Sequence, residues 1–204
     1  MVEVLRDIIR RNRAGAAVAI PSVCSAHPDV LRASLALAAQ LDRHIVIEAT
    51  SNQVNQDGGY TGMTPVDFIQ FVNALADEAK IDRAQIIFGG DHLGPQAWRS
   101  MDAAQALAKA DRLVHDYVAA GFHKIHLDCS EGCAGETAQL GDDVTAARSA
   151  RLAKICSEVH PDLLFVIGTE VPPPGGARVD EDGDIPATTP TDARATLAAH
   201  DAAF

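Results

Sequence analysis

The sequence predicts an α/β protein with a parallel sheet of TIM-barrel type, incomplete at about five strand–helix units. Three observations carry that reading. Short apolar runs alternate with amphipathic helical stretches along the chain, no hairpin turn joins two runs, and four of the runs end on an acidic side chain. The acids are Glu48 in HIVIEAT, Asp91 in IIFGGDH, Asp128 in KIHLDCS and Glu170 in LFVIGTE. They recur roughly every 40 residues, the length of one strand, one helix and two connections.

The elements follow in order. Residues 2–13 read as a helix with Val4, Leu5, Ile8 and Ile9 on one stripe and Arg10, Arg11 and Arg13 on the solvated face. Gly15 ends it, and AAVAIPSVCS is the first strand. Pro28 opens the helix PDVLRASLALAAQL at the first-turn position, where its missing N–H has no partner to lose. HIVIEAT is the second strand, and a polar loop leads to Thr64, an expected N-cap with Asp67 in the first turn of PVDFIQFVNALADEA. QIIFGG is the third strand, a helix over 101–120 ends at Gly121, and KIHLDCS is the fourth strand. A helix over 142–159 follows with Asp142 as its expected cap, then the strand DLLFVIGTEV, a Pro/Gly/Asp-rich loop, and a last helix from Thr191 to Phe204.

Two closures suit such a chain, a doubly wound open sheet or part of an eight-stranded barrel. The first favours a Gly-rich nucleotide turn after strand one, where the sequence reads SVCSAHP without GxGxxG or GxxxxGK[ST]. Five units leave a barrel open, so residues 1–204 are expected to be a single partial barrel domain truncated from a longer protein.

Composition narrows the function. A net charge of −11 over 204 residues, with no strong basic patch, argues against nucleic acid and anionic membrane surfaces as partners. No apolar run has the length of a membrane span, and MVEVLRDIIRR mixes acids and bases unlike a signal peptide. Cys24, Cys129, Cys133 and Cys156 form no CxxC pair and read as reduced thiols of a cytoplasmic protein.

Alternation puts His126, Asp128 and Ser130 on one face of their strand, and Ile87, Gly89 and Asp91 on one face of theirs. If those faces point inward, Glu48, Asp91, Asp128 and Glu170 converge at the C-terminal mouth. Carboxylates sharing a small volume raise one another's pKa, and a divalent cation relieves that. His92, His126 and Glu48 are the metal-ligand candidates, for zinc, manganese, cobalt or nickel. Asp91, Glu170 and Asp128 are the catalytic candidates, able to move a proton beside a polarised sugar oxygen. His126 and Asp128 could equally pair with buried neighbours and specify packing. Asn52, Gln53 and Asn55, with Ser130, offer neutral donors and acceptors to a polyol. Tyr60 and Trp98 are expected to pack, and His27 to be a satisfied loop histidine.

The strings SVCSAHP (22–28), IEATSNQVNQDGGYTGMTP (47–65), GGDHLGP (89–95), KIHLDCS (124–130) and VIGTEVPPPGG (166–176) closely resemble the Z-type (GatZ/KbaZ) subunit of D-tagatose-1,6-bisphosphate aldolase. Members of that family are longer, and the resemblance covers their N-terminal half. It implies a TIM-barrel relative of the metal-dependent class II aldolases of tagatose 6-phosphate, galactitol and N-acetylgalactosamine catabolism. It also implies an accessory, non-catalytic chain that supports a catalytic Y-type subunit acting on a sugar phosphate. Asp91-His92 is similar to the Asp-His motif of class II aldolases, an acid/base followed by a metal ligand. HLDCSEG is similar to their second acidic segment, with Asp128, Ser130 and Glu131 in the matching places. The further metal-binding histidines of those enzymes have no counterpart in this sequence. Related Z-type proteins imply an alternative, a metal-dependent ketose or ketose-phosphate 4-epimerase working by retro-aldol chemistry. A truncated fragment without function is the third expectation.

Overall fold

The computed structural model describes residues 2–168 and 189–204. In chain order the elements are α1 (Val2–Arg13), β1 (Ser22–Cys24), α2 (Pro28–Gln40), β2 (Ile45–Thr50), α3 (Pro65–Ala79), β3 (Ile86–Leu93), α4 (Ala103–Ala120), β4 (Lys124–Leu127), α5 (Asp142–Val159), β5 (Leu164–Ile167) and α6 (Pro190–Ala203). Every strand pairs in parallel with the next, in the spatial order β1-β2-β3-β4-β5. A doubly wound sheet reverses its strand order part way, so this order settles the closure in favour of barrel winding.

The two faces of the sheet are separated by alternation. Ile45, Ile47 and Ala49 of β2, Ile86 and Phe88 of β3, and Ile125 and Leu127 of β4 pack with the helices in the main core. Val46 and Ile87 point the other way and meet Leu5 of α1. Helix α1 therefore lies on the inner face, over the N-terminal ends of the strands, while α2 to α6 pack side by side on the outer face. That arrangement places Glu48, two residues beyond Val46, and Asp91, four beyond Ile87, on the inner face toward the opposite mouth.

Several local expectations change in three dimensions. Ile9 is 42% exposed, since α1 turns only its Val2 and Leu5 side fully into the protein. The first strand is shorter than expected because its ladder starts at the Pro21 carbonyl, which accepts Val46 N–H at 3.0 Å, and Pro21 has no N–H to extend it. The cap of α5 is Gly141, not Asp142; the Asp142 carboxylate instead accepts a hydrogen bond from Thr196 of α6 at 3.1 Å. Tyr60 is 74% exposed rather than packed, whereas Trp98 is buried. His27 caps α2, its Nδ1 accepting Asp29 N–H at 3.2 Å. All four cysteines are free thiols.

Candidate functional site

The site begins with a break in alternation. On β3, Gly89 and Gly90 pair with Lys124 and Ile125, but the next partners are Leu93 and Leu127. Three steps on β3 thus face two on β4, which makes a β-bulge with one extra residue. His92 takes up the difference with φ of 48°, a left-handed backbone that costs a non-glycine residue about 1 kcal/mol or more. The result is that Asp91 and His92, though adjacent, both reach the inner face, and Leu93 returns fully buried to the helix side. Ser51 Oγ and Gln96 Nε2 donate to the His92 carbonyl at 3.2 and 2.9 Å and hold the bulge. Gly94 then passes so close to β4 that a Cβ there would sit 1.9 Å from the Asp128 carbonyl oxygen.

The inward side chains form one cluster. His126 Nδ1 lies 2.7 Å from Asp91 Oδ1, His92 Nε2 lies 3.9 Å from the same oxygen, and the two imidazole rings meet edge to face with centroids 4.5 Å apart. Asp91, His92 and His126 each offer a donor atom within 4.8 Å of the others, a metal-compatible group among the described residues. Asp128 stands behind His92, with Oδ2 3.5 Å from Nδ1, and its other oxygen accepts Ser130 N–H at 3.0 Å and Ser130 O–H at 2.6 Å. Burial raises the Asp91 pKa, but hydrogen bonds from His126 and Cys24 and the positive potential of the two histidines outweigh it and bring the carboxyl down to about 2. Gly168 leaves room for this cluster: a Cβ there would come within 2.6 Å of His126 Nε2.

The other residues singled out by sequence divide clearly. Glu48 faces inward but stands apart from the metal-compatible group; it is ion-paired with Lys124 and accepts Ser22 O–H at 2.6 Å. Glu170 lies outside the described residues. Asn55 is buried and engaged in its own loop, donating to Ser51 O at 2.8 Å and accepting from Asp57 and Gly59 N–H. Gln53 Oε1 accepts Thr50 N–H at 2.8 Å and faces the Cys24 thiol at 3.8 Å, while Asn52 is exposed. Ser130 holds Asp128. The loop as a whole is fixed from behind by Tyr117 O–H on Val54 O at 2.9 Å, and by Asp57 held between Lys109 and Trp98. Sequence reasoning passed over Lys124 and Cys24, although alternation in KIHLD places Lys124 on the face of His126 and register places Cys24 beside Glu48.

Consecutive parallel βα units with imidazole and carboxylate donors at their C-terminal ends define a barrel-type protein built for polar chemistry at that mouth. The chain belongs to the D-tagatose-1,6-bisphosphate aldolase subunit GatZ/KbaZ-like family, whose model matches residues 5–204. It is also similar to a crystal structure of a probable tagatose 6 phosphate kinase from Sinorhizobium meliloti 1021, at 46% identity and a TM-score of 0.82. The match covers 92% of this chain and 44% of that one, so this chain spans less than half of the other's length.

Proposed function

We propose that the chain serves a tagatose-bisphosphate aldolase as its cytoplasmic accessory Z-type subunit, supporting a catalytic Y-type class II chain, and that its mouth takes a divalent cation and a phosphorylated ketose. Membership of a family of aldolase subunits over residues 5–204 is the observation that carries the reading. The names of the family and of the Sinorhizobium protein share a phosphorylated tagatose, which supports that ligand class.

Two imidazoles and one carboxylate suit zinc, manganese, cobalt or nickel, and the bulge at His92 turns one of those imidazoles inward. A cation held by Asp91, His92 and His126 would supply Lewis acidity toward a ketose oxygen. The chain's own groups do the rest. Asp128, braced by Ser130, faces His92 Nδ1 at 3.5 Å and leaves Nε2 on the side of Asp91. Hydrogen bonds from His126 and Cys24 keep Asp91 ionised at neutral pH, so as a carboxylate it can anchor the cation or accept a proton, the base half of the acid/base role expected of it. Mixing the chain with a catalytic class II aldolase subunit should raise tagatose 1,6-bisphosphate cleavage and the partner's melting temperature. If a molar excess leaves both unchanged, the accessory role is wrong.

The inward cluster favours a second reading, a metal-dependent ketose-phosphate 4-epimerase. Interconversion of tagatose 6-phosphate and fructose 6-phosphate, assayed with added Mn, Co, Zn or Ni, tests it; no turnover with any of the four removes it.

A further inference from the structure

Beneath the Asp91–His92–His126 group, the inner face carries a second polar layer that the cation reading leaves unused. Lys124 precedes His126 by two residues on β4, which sets its Cα roughly 7 Å closer to the N-terminal ends of the strands. Its ammonium pairs with Glu48 of β2, and the second Glu48 oxygen accepts Ser22 O–H from β1 at 2.6 Å. The β3 residue in this layer is Gly89, in register with both Glu48 and Lys124. A Cβ at Gly89 would come within 2.7 Å of Glu48 Oε1. Four neighbouring strands are therefore shaped around one ion pair.

Stability does not explain it. Desolvating two charges costs about as much as their attraction returns, and well-packed apolar residues serve as well. The next layer down shows that alternative in place, with Val46 and Ile87 against Leu5. The pair is also unequal: the Glu48 side chain is 6% exposed, the Lys124 side chain 20%. An ammonium has three N–H donors, and among the described residues Lys124 Nζ hydrogen-bonds Glu48. Glu48 thus engages one side of the ammonium, and the Lys124 side chain keeps a fifth of its surface exposed.

Resting on the ligand class proposed above, we infer that Lys124 is a ligand-binding residue of this mouth. Its ammonium donates to an oxygen of the phosphorylated ketose, and Glu48 with Ser22 is the positioning pair that aims it. The test measures two affinities on the whole chain, tagatose 6-phosphate by calorimetry and Mn2+ by electron paramagnetic resonance. Lys124→Met should weaken sugar-phosphate binding roughly tenfold or more, as expected for a lost hydrogen bond from a charged group, with Mn2+ affinity kept within about threefold. Because Lys124→Met strands a buried carboxylate, the neutral pair Glu48→Gln/Lys124→Met is measured beside it and should show the same loss. Sugar-phosphate binding at the original strength in the double variant overturns the inference. Absence of tagatose 6-phosphate binding by the unaltered chain removes the ligand reading itself, a result distinct from loss confined to the Lys124 variants.

Discussion

His92 concentrates the cost and the use of this site in one backbone angle. Its φ of 48° is adopted freely by glycine and reluctantly by an imidazole-bearing residue, yet only this conformation brings the ring onto the face of Asp91 and His126. His92→Gly should therefore leave thermal stability unchanged or raise it by up to about 1 kcal/mol, while Mn2+ affinity falls at least tenfold. Chemical denaturation and metal titration of the same sample check both. Asp91 makes the complementary case. Its carboxyl, depressed from 3.8 to about 2 in the folded chain, contributes stability that is fully present above 3.8 and lost as pH falls through 2. Allowing for solvent screening of a partly exposed group, that is about 1–2 kcal/mol. Between pH 5 and pH 2, Asp91→Asn should lose less stability than the unaltered chain, measured as the difference between their melting curves.

At the scale of elements, what the sequence discloses depends on how local the determining contacts are. The start of α3 is legible because its capping box closes within three residues: Thr64 Oγ accepts Asp67 N–H at 3.4 Å and Asp67 Oδ2 accepts Thr64 N–H at 3.0 Å. Thr64→Ala should cost about 1 kcal/mol in urea unfolding with an unchanged slope. The strand alternation that sends Asp91 and His126 inward is legible for the same reason, since period two is a property of the strand itself. The bulge is not, because it exists only in the register between β3 and β4, and a reading by alternation alone makes His92 the first residue of a loop. Asp142 misleads in the same way. Its carboxylate is drawn to Thr196, 54 residues away, and Gly141 takes the cap without a side chain. Glu48 completes the pattern: its type and position at a strand end suggest a ligand, and only the neighbouring Lys124 and Ser22 on other strands show it already engaged.

Across the whole molecule, the sheet is an arc whose central strands carry most of its cohesion. β2 and β3 have a hydrogen-bonded neighbour on each side, bury their residues on both faces and run for six and eight residues. β1 has three residues, each partly or largely exposed, and β5 has four, with Val166 38% exposed. Each of these outer strands pairs with one neighbour in the described sheet. The core follows the same gradient, since Leu31, Phe68, Phe122 and Tyr117, all fully buried, lie on the helix side. Opening free energy should scale with this pairing and burial. In hydrogen exchange on the 204-residue chain, the amides of Ile47 and Phe88 should be the slowest, exchanging through unfolding of the whole sheet. Those of Val23 and Val166 should exchange faster by a factor of about 100 or more, through opening of the edges alone. The mouth draws on both kinds of strand: Asp91 and His92 sit on β3 and His126 on β4, whereas Ser22 and Cys24 sit on β1. Cation binding should consequently slow exchange at the C-terminal ends of β3 and β4 and leave β1 at its original rate. Slowing of β1 by Mn2+ alone would place a β1 residue among the donors and revise the three-residue group.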